Sequence, residues 1–432
     1  LNYNGWRKEK RLKVNYPRNT KIIILLYITA IVGILGGITW INFQVAEAYP
    51  GGNAFYVYWS AIRQFLFKGV SPYTVEITLA SQHSEPLMNY LDHQVPEMFS
   101  SPLYSILFLA PFSLIKNFIL ARALWMTFLE ICLFFLAYFT LRLCKWKIGS
   151  AKGMIYIGIT FLSYFSAKAI MTGDLIIISG FFLWIGILAY QKGDDELSGA
   201  MVAFATIKPQ FGILLVIFLF FWSISRQRQK FSLWFLITLA FLSAVTLLIK
   251  PGWILEMLQA NLANLSSLGA KNTADMLSDI IPGVGARMGW VISAIVIAFL
   301  ILEWTKARVY DSKRWMWLVS LTLAGGALSG IPAPAESLVL LLPVIPFLAE
   351  VLFERWRGGG LLVNFILGTA FLAGVWLAVN ADLTGTGRMA ETTAVLVTII
   401  IIVIFLFWNR HWLMSSVKPW YDRLESGDSF KK

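Results

Sequence analysis

The amino-acid sequence predicts an all-α, polytopic membrane protein with about twelve transmembrane helices, some of them broken or re-entrant, and further helices in its extracytoplasmic loops. Three observations lead there. The chain of 432 residues is 58% hydrophobic and only 14% charged, with a mean hydropathy of +0.68, whereas an average soluble chain is about 25% charged. Its apolar residues gather into runs close to membrane length. Its basic residues fall mostly in the short gaps between those runs. This balance excludes a soluble, doubly wound nucleotide enzyme.

The formal net charge of +12 comes from 36 Lys and Arg against 24 Asp and Glu. In a soluble chain that excess would suggest nucleic acid. Here its position marks cytoplasmic loops, and no nucleic-acid partner is expected. Cys132 and Cys144 lie in or beside an apolar run that ends in Arg142 and Lys145, so they read as packing residues and not as a disulfide scaffold.

Residues 1–20 form a basic segment, with seven Lys or Arg in the first 21 positions. The apolar run that follows, 21–43, is too long for a signal-peptide core of about 7–15 residues, and no small-residue cleavage site follows it. It is therefore expected to be the first membrane helix, with the N-terminus cytoplasmic. Further apolar runs occupy 102–119, 121–141, 153–171, 174–190, 197–224, 231–249, 288–304, 314–331, 337–353, 360–379 and 392–408. A span needs about 20 residues, so several of these are short, tilted or broken. The whole of 21–409 reads as one integral membrane domain, and 410–432 as a cytoplasmic tail.

Basic gaps at RLCKWK, RQRQK, KARVYDSKR and ERWR belong in the cytoplasm by the positive-inside rule. One crossing per run cannot put both RLCKWK and RQRQK there. The conflict disappears if 102–119 is short or re-entrant and 197–224 is a pair of helices meeting near Lys208 and Pro209, where proline removes an N–H from the ladder. Two outer loops, 45–101 and 250–287, are far longer than the other turns, and long ordered loops usually carry function. The first contains FYVYWSAIRQFLFKG, an aromatic stretch with Arg63 and Lys68 that suits a short interfacial helix. Trp6, Trp40, Trp408 and Trp412 read as interfacial anchors. No internal repeat suggests a transporter built from inverted halves.

Polar groups near membrane depth are costly unless they are paired or face a wet cavity. On the outer side these are Glu47, Asn53, His83, Asp92, His93, Glu97, Asp174, Lys208, Gln210, Arg287 and Glu336. Lys208, in ATIKPQFG, sits at the helix break between two apolar halves. It suits either a phosphate of a membrane-bound donor or a snorkelling helix end. Arg287, after PGVGA, is a planar donor fork for the same phosphate or a charge at a helix entrance. Asp174, in MTGDLIIISG, and Glu336, in SGIPAPAESLVLLLP, each open an apolar run. There a carboxylate caps free N–H groups or binds acceptor or sugar. His83, Asp92, His93 and Glu97 have metal-ligand chemistry but match no strong ligand spacing, and His93 is kept with Tyr58 and Gln210 among the candidate substrate contacts.

Taken in order, FYVYWSAIRQFLFKGVSPY, FSSPLYSILFLAPFSLI, GDLIIISGFFLW, LSGAMVAFATIKPQFGILL and APAESLVLLLPVI resemble the polytopic, polyprenyl-phosphate-sugar-dependent glycosyltransferases of glycosyltransferase family 87. The likeness covers most of residues 20–350. It implies a GT-C type fold in the cell membrane and transfer of one sugar, such as mannose, glucose or arabinose, from a polyprenyl monophosphate. The acceptor would be a lipid or glycan hydroxyl on the outer face, with inversion at the sugar carbon, no cofactor and no essential divalent metal. Lys208 and Arg287 would then hold the leaving phosphate, and Tyr56, Tyr58 and Trp59 would line access for the sugar or its carrier.

In that family an aspartate usually precedes the Phe of the first motif and acts as general base. This chain has Ala54 at that position. A methyl group cannot accept a proton, so either another acid has taken the role or the substitution is inactivating, with crippled chemistry and donor binding retained. The family's usual glutamine beside Gly173 is replaced by Asp174. The competing expectation is a flippase or ligase for lipid-linked saccharides. The two differ in whether position 54 and Lys208 share one outward cavity.

Overall fold

The computed structural model describes residues 18–49, 51–74, 98–267, 271–307, 312–332, 334–355, 360–380 and 388–414. Among them every regular element is helical. His83, Asp92, His93 and Glu97 lie outside the described residues.

Helix α1 (Arg18–Ala48) keeps its apolar stretch wholly on the outside, as a helix bathed in lipid requires. The loop that follows contributes α2 (Asn53–Lys68), whose leading half is buried on Phe55, Tyr56 and Tyr58 while its trailing half, from Leu66, is exposed. The aromatic stretch is thus a helix docked into the protein at one end, more than an anchor resting on the membrane. A 3-10 turn, Leu103–Ser105, leads into α3 (Ile106–Ser113), a short element with Pro111 inside it. The expected short character of 102–119 is found here.

Helix α4 (Phe118–Leu143) begins at Asn117, whose side chain accepts from the Leu120 N–H. It carries the polar groups that hold α1: Thr39 and Asn42 hydrogen-bond Thr127 at 3.1 Å each, and Asn42 Nδ2 donates to Glu130 at 3.0 Å. With no hydrophobic drive between helices in lipid, such bonds supply register at about 0.6 kcal/mol each. Helices α5 (Ala151–Leu162) and α6 (Tyr164–Thr172) form one path bent by 47° at Ser163.

After α7 (Ile176–Lys192), the run 197–224 resolves into α8 (Asp195–Ala205) and α9 (Pro209–Ser225), with the break at Lys208–Pro209. Next comes α10 (Gln229–Ile249), and then two helices of the long loop that follows it, α11 (Trp253–Ser267) and α12 (Thr273–Ile280). The chain continues through α13 (Gly285–Lys306), α14 (Ser312–Leu328), a 3-10 segment Ala335–Leu341, α15 (Val344–Arg355), α16 (Gly360–Asn380) and α17 (Arg388–Met414).

Five described helices are long and apolar enough to cross a membrane, or six if the bent α5–α6 pair is one span. They fit a multi-pass membrane protein. The other apolar elements, including Ile176–Lys192 and Gly212–Ser225, fall short of full span length. Length and apolarity alone thus identify five or six spans among the described residues, against the twelve apolar runs of the sequence. Runs that hydropathy alone treats as equal are interrupted by prolines, glycines and buried charges, which end a helix before it reaches membrane thickness.

The centre of the bundle is built on tryptophans. Trp125, Trp184 and Trp317 are fully buried, and each indole N–H reaches a backbone carbonyl: Gly173 at 2.9 Å, Leu340 at 3.2 Å and Leu406 at 2.7 Å. Two of those carbonyls lie at a helix end or in the 3-10 segment, where the helical ladder leaves acceptors free. Close helix approach is made by Gly199, where an added Cβ would stand 2.3 Å from the Phe231 carbonyl oxygen of α10. Gly199→Val is expected to push α8 off α10 and lower stability by about 2–3 kcal/mol, an overpacking cost. Thermal unfolding in detergent micelles measures it, and an unchanged midpoint would contradict the packing described.

Candidate functional site

The site forms where two helix breaks meet. Helix α6 ends at Thr172, and Gly173 follows with φ of 75°, a conformation that favours glycine. An added Cβ there would stand 2.5 Å from Phe55 Cβ, and the Trp125 ring is at its back. The next residue, Asp174, is 2% exposed. Its Oδ1 accepts from the Ile176 N–H at 2.8 Å, capping the start of α7, and its Oδ2 is ion-paired with the Lys208 ammonium. Lys208 is the residue before Pro209 at the second break. The capping and charge roles of Asp174 are thus divided between its two oxygens.

Glu336 begins the 3-10 segment and lies within electrostatic reach of both Asp174 and Lys208. Its carboxylate stands 3.8 Å from the Lys168 ammonium, and its Oε2 is buried without a hydrogen-bond partner. Lys168, on α6, is also ion-paired with Glu391 at the start of α17. Two lysines and three carboxylates are therefore interleaved in one charged cluster. Among the described residues no group of three His, Cys, Asp or Glu could hold a metal ion.

Loop helices cover this end. Gln210, one residue past Pro209, donates to Asn261 of α11 at 3.3 Å and leaves its own Oε1 buried and unpartnered. Asn261 in turn donates to the Ser100 carbonyl at 2.8 Å. The Tyr104 hydroxyl and Thr206 Oγ1 lie 2.6 Å apart just before the Lys208 break. Helix α11 is anchored at its start by Glu256, which is paired with Lys250 at 2.7 Å and accepts from Ser71.

Position 54 approaches the cluster through its neighbour, because Phe55 packs on Gly173, which adjoins Asp174. Ala54 itself is half-buried in the first turn of α2, and the preceding Asn53 has a buried, unpartnered Oδ1. The loop before it is tied down by the Gly52 N–H donating to the Met171 carbonyl at 2.8 Å. Tyr58 is 6% exposed with its ring edge-on to Phe99, so it packs within the core. Arg287 is exposed in the first turn of α13, and no described contact joins it to Lys208.

Sequence reasoning missed three contributors. Lys168 and Glu391 are single charges inside or at the edge of apolar runs, a pattern that alone marks a buried pair. Arg122, buried at 1% exposure in α4, donates to the Tyr49 carbonyl at 3.0 Å and to the Met171 carbonyl at 3.4 Å. It fixes the chain on both sides of the corner formed by Phe55 and Gly173.

The sequence model of glycosyltransferase family 87 matches residues 99–343, more than half of the chain. The chain belongs to glycosyltransferase family 87. It is thus a membrane glycosyltransferase, with a sugar donor and an acceptor as its substrates. No curated protein and no solved structure matches it. Within this family-87 chain the matched segment holds Lys168, Asp174, Lys208, Gln210, Arg287 and Glu336, while Ala54 and Glu391 lie outside it.

Two outcomes follow. Asp174→Asn leaves the Lys208 ammonium without its carboxylate and is expected to cost about 3 kcal/mol in thermal unfolding, less than a fully buried pair because the lysine is partly exposed. The Asp174→Asn/Lys208→Met double variant is expected to recover part of that loss, and additive losses would show that the two side chains are not coupled. For Glu256, burial pushes the carboxyl up, but hydrogen bonds from Lys250 and Ser71 and the Lys250 charge outweigh it and hold it below the usual carboxylate range. A depressed carboxyl stabilises the fold above its unfolded value, and that contribution is lost as pH falls through the folded value. Glu256→Gln is therefore expected to flatten the acid side of the stability profile, and an unaltered profile would contradict it.

Proposed function

We propose that this glycosyltransferase moves one sugar from a polyprenyl monophosphate to an acceptor hydroxyl at the extracytoplasmic membrane face, and that Ala54 leaves the present chain catalytically disabled. The observation that carries the reading is the Asp174–Lys208 pair with the Glu336 carboxylate beside it, whose buried Oε2 faces Lys168 at 3.8 Å but accepts no hydrogen bond. These are charges at a double helix break, and beside them Glu336 Oε2 and Gln210 Oε1 are buried acceptors without a hydrogen bond. The sugar hydroxyls of a bound donor would supply the protons they lack. Buried polar atoms left unpaired in a native protein call for such a partner.

In the proposed reaction the bond between the sugar carbon and the phosphate oxygen breaks, and the electron pair leaves with the phosphate. The acceptor oxygen forms the new glycosidic bond from the opposite face, and its proton passes to a base. Lys208 stabilises the charge that grows on the leaving phosphate. It is released for this work as Asp174 keeps its capping bond to Ile176 through the other oxygen. Arg287 contributes as a second phosphate donor, and Gln210, Glu336, Tyr58 and His93 contribute to donor and acceptor placement. The base belongs at position 54, beside the Gly173 corner, and alanine offers no lone pair there.

The proposed GT-C arrangement supplies the rest through the membrane. The carrier's chain stays in lipid while its phosphate reaches the charged cluster, so no soluble donor is needed. The test is reconstitution with labelled polyprenyl-phosphate mannose, glucose and arabinose. Ala54→Asp is expected to raise transfer by about 10²–10⁴-fold, the usual contribution of a positioned base. Lys208→Ala in that background is expected to abolish the gain. Failure of Ala54→Asp to transfer any of the three sugars would sink the base assignment, and translocation of the label without transfer would favour a flippase.

A further inference from the structure

The end of the bundle away from the charged cluster carries its own cavity system. Helix α7 runs from Ile176, beside Asp174, to Lys192, about 25 Å at the helical rise. Its Gln191 lines a polar vestibule of about 580 Å³ together with Cys144, Lys145, Lys152, Lys313 and Glu350. Against the vestibule lies an apolar groove of about 450 Å³ between α5, α15, α16 and α17, lined by Ile159, Ala349, Ala370, Phe371 and Ile402 among others. Trp146 and Lys152 line both spaces. The groove and vestibule are thus two compartments with a common wall.

The charge of the vestibule is one-sided. Three lysines face one acid, and that acid is already engaged: Glu350 accepts from the Trp146 indole at 2.5 Å and lies 3.9 Å from Lys152. Lys152 also stands over the Trp146 ring at 5.4 Å, which fixes the indole as a partition between the wet and dry sides. Lys145 and Lys313 are exposed at the mouth. The net positive charge sits at the rim of a slot with almost no polar lining. A soluble anion would fill only the vestibule, and an uncharged hydrocarbon only the groove. One amphiphile with an anionic head fills both.

We propose that this composite cavity binds an anionic phospholipid of the leaflet opposite the charged cluster. Its phosphate lies against Lys145, Lys152 and Lys313, and one chain lies in the groove along α5 and α16. The site is separate from the Asp174–Lys208 cluster and does not rest on the sugar-transfer reading. The lipid would tie α15 and α16 to α5 on the side where helices are short, filling a gap that side chains leave open.

The test uses the full chain in phosphatidylcholine nanodiscs doped with photoactivatable phosphatidylglycerol or, separately, photoactivatable phosphatidylcholine, with crosslinks mapped by peptide mass spectrometry. The anionic probe is expected to label residues 152–159 and 345–349 at least about tenfold more than the zwitterionic one, given about fivefold per lysine near an anionic headgroup. Lys145→Gln/Lys313→Gln is expected to remove most of that preference. Ala370→Trp, which fills the groove from an exposed position, is expected to abolish labelling with the melting midpoint unchanged. Equal labelling by the two probes, or full anionic labelling in either variant at an unchanged melting midpoint, would overturn the proposal.

Discussion

A carboxylate and an ammonium buried against each other, Asp174 and Lys208, are the constraint on which this end of the bundle is built. Each charge alone would be expensive at that depth. Because they come from two different helix breaks, pairing them locks the α6–α7 corner to the α8–α9 corner. The backbone can then leave the helical path twice in the same place without exposing its free N–H and C=O groups to lipid, since Asp174 caps one break and the proline at the other has no N–H to satisfy. Arg122 does the same for the loop into α2, gathering carbonyls from Tyr49 and Met171 around one guanidinium. Irregular backbone, which membranes tolerate only when it is shielded, is concentrated where three charged side chains shield it.

The family match divides the chain in an informative way. It covers the two breaks, the Glu336 segment and the loop helices α11 and α12, but it begins after α2 and ends before α17. The matched segment thus contains Asp174 and Lys208, while position 54 is tied to them only through the motif in α2 and the packing of Phe55 against Gly173. Those are separate lines of argument that meet at one corner of the fold.

Much of this was legible in the sequence where a local rule decides the outcome. The break at Lys208–Pro209 follows from proline chemistry, the existence of the aromatic helix α2 (though not its docking) from its composition, and the capping by Asp174 from a carboxylate opening an apolar run. The partners of these residues were not legible. Asp174 and Lys208 are 34 residues apart and Lys168 and Glu391 are 223 apart, and no periodic pattern carries such separations. Where each apolar run stops being helical was hard to read for a related reason: hydropathy sums over a run without sensing where a glycine, a proline or a buried ion ends the helix within it. The burial of Tyr58 and the exposure of Arg287 depend on how α2 and α13 are rotated, which their composition does not encode.

Helix α17 is pinned at both ends, by Glu391 to Lys168 and by Arg410 to the fully buried Glu303, the latter at 2.9 Å. Its sequence between those anchors contains neither glycine nor proline, so it behaves as a rod. The anchors are separated by about 28 Å of helix at 1.5 Å per residue, close to the roughly 30 Å hydrocarbon thickness of a bilayer. An apolar stretch of that length fits an ordinary bilayer with little tilt, and a thicker or thinner bilayer would impose a mismatch cost of fractions of a kcal/mol per Å on a helix held at both ends.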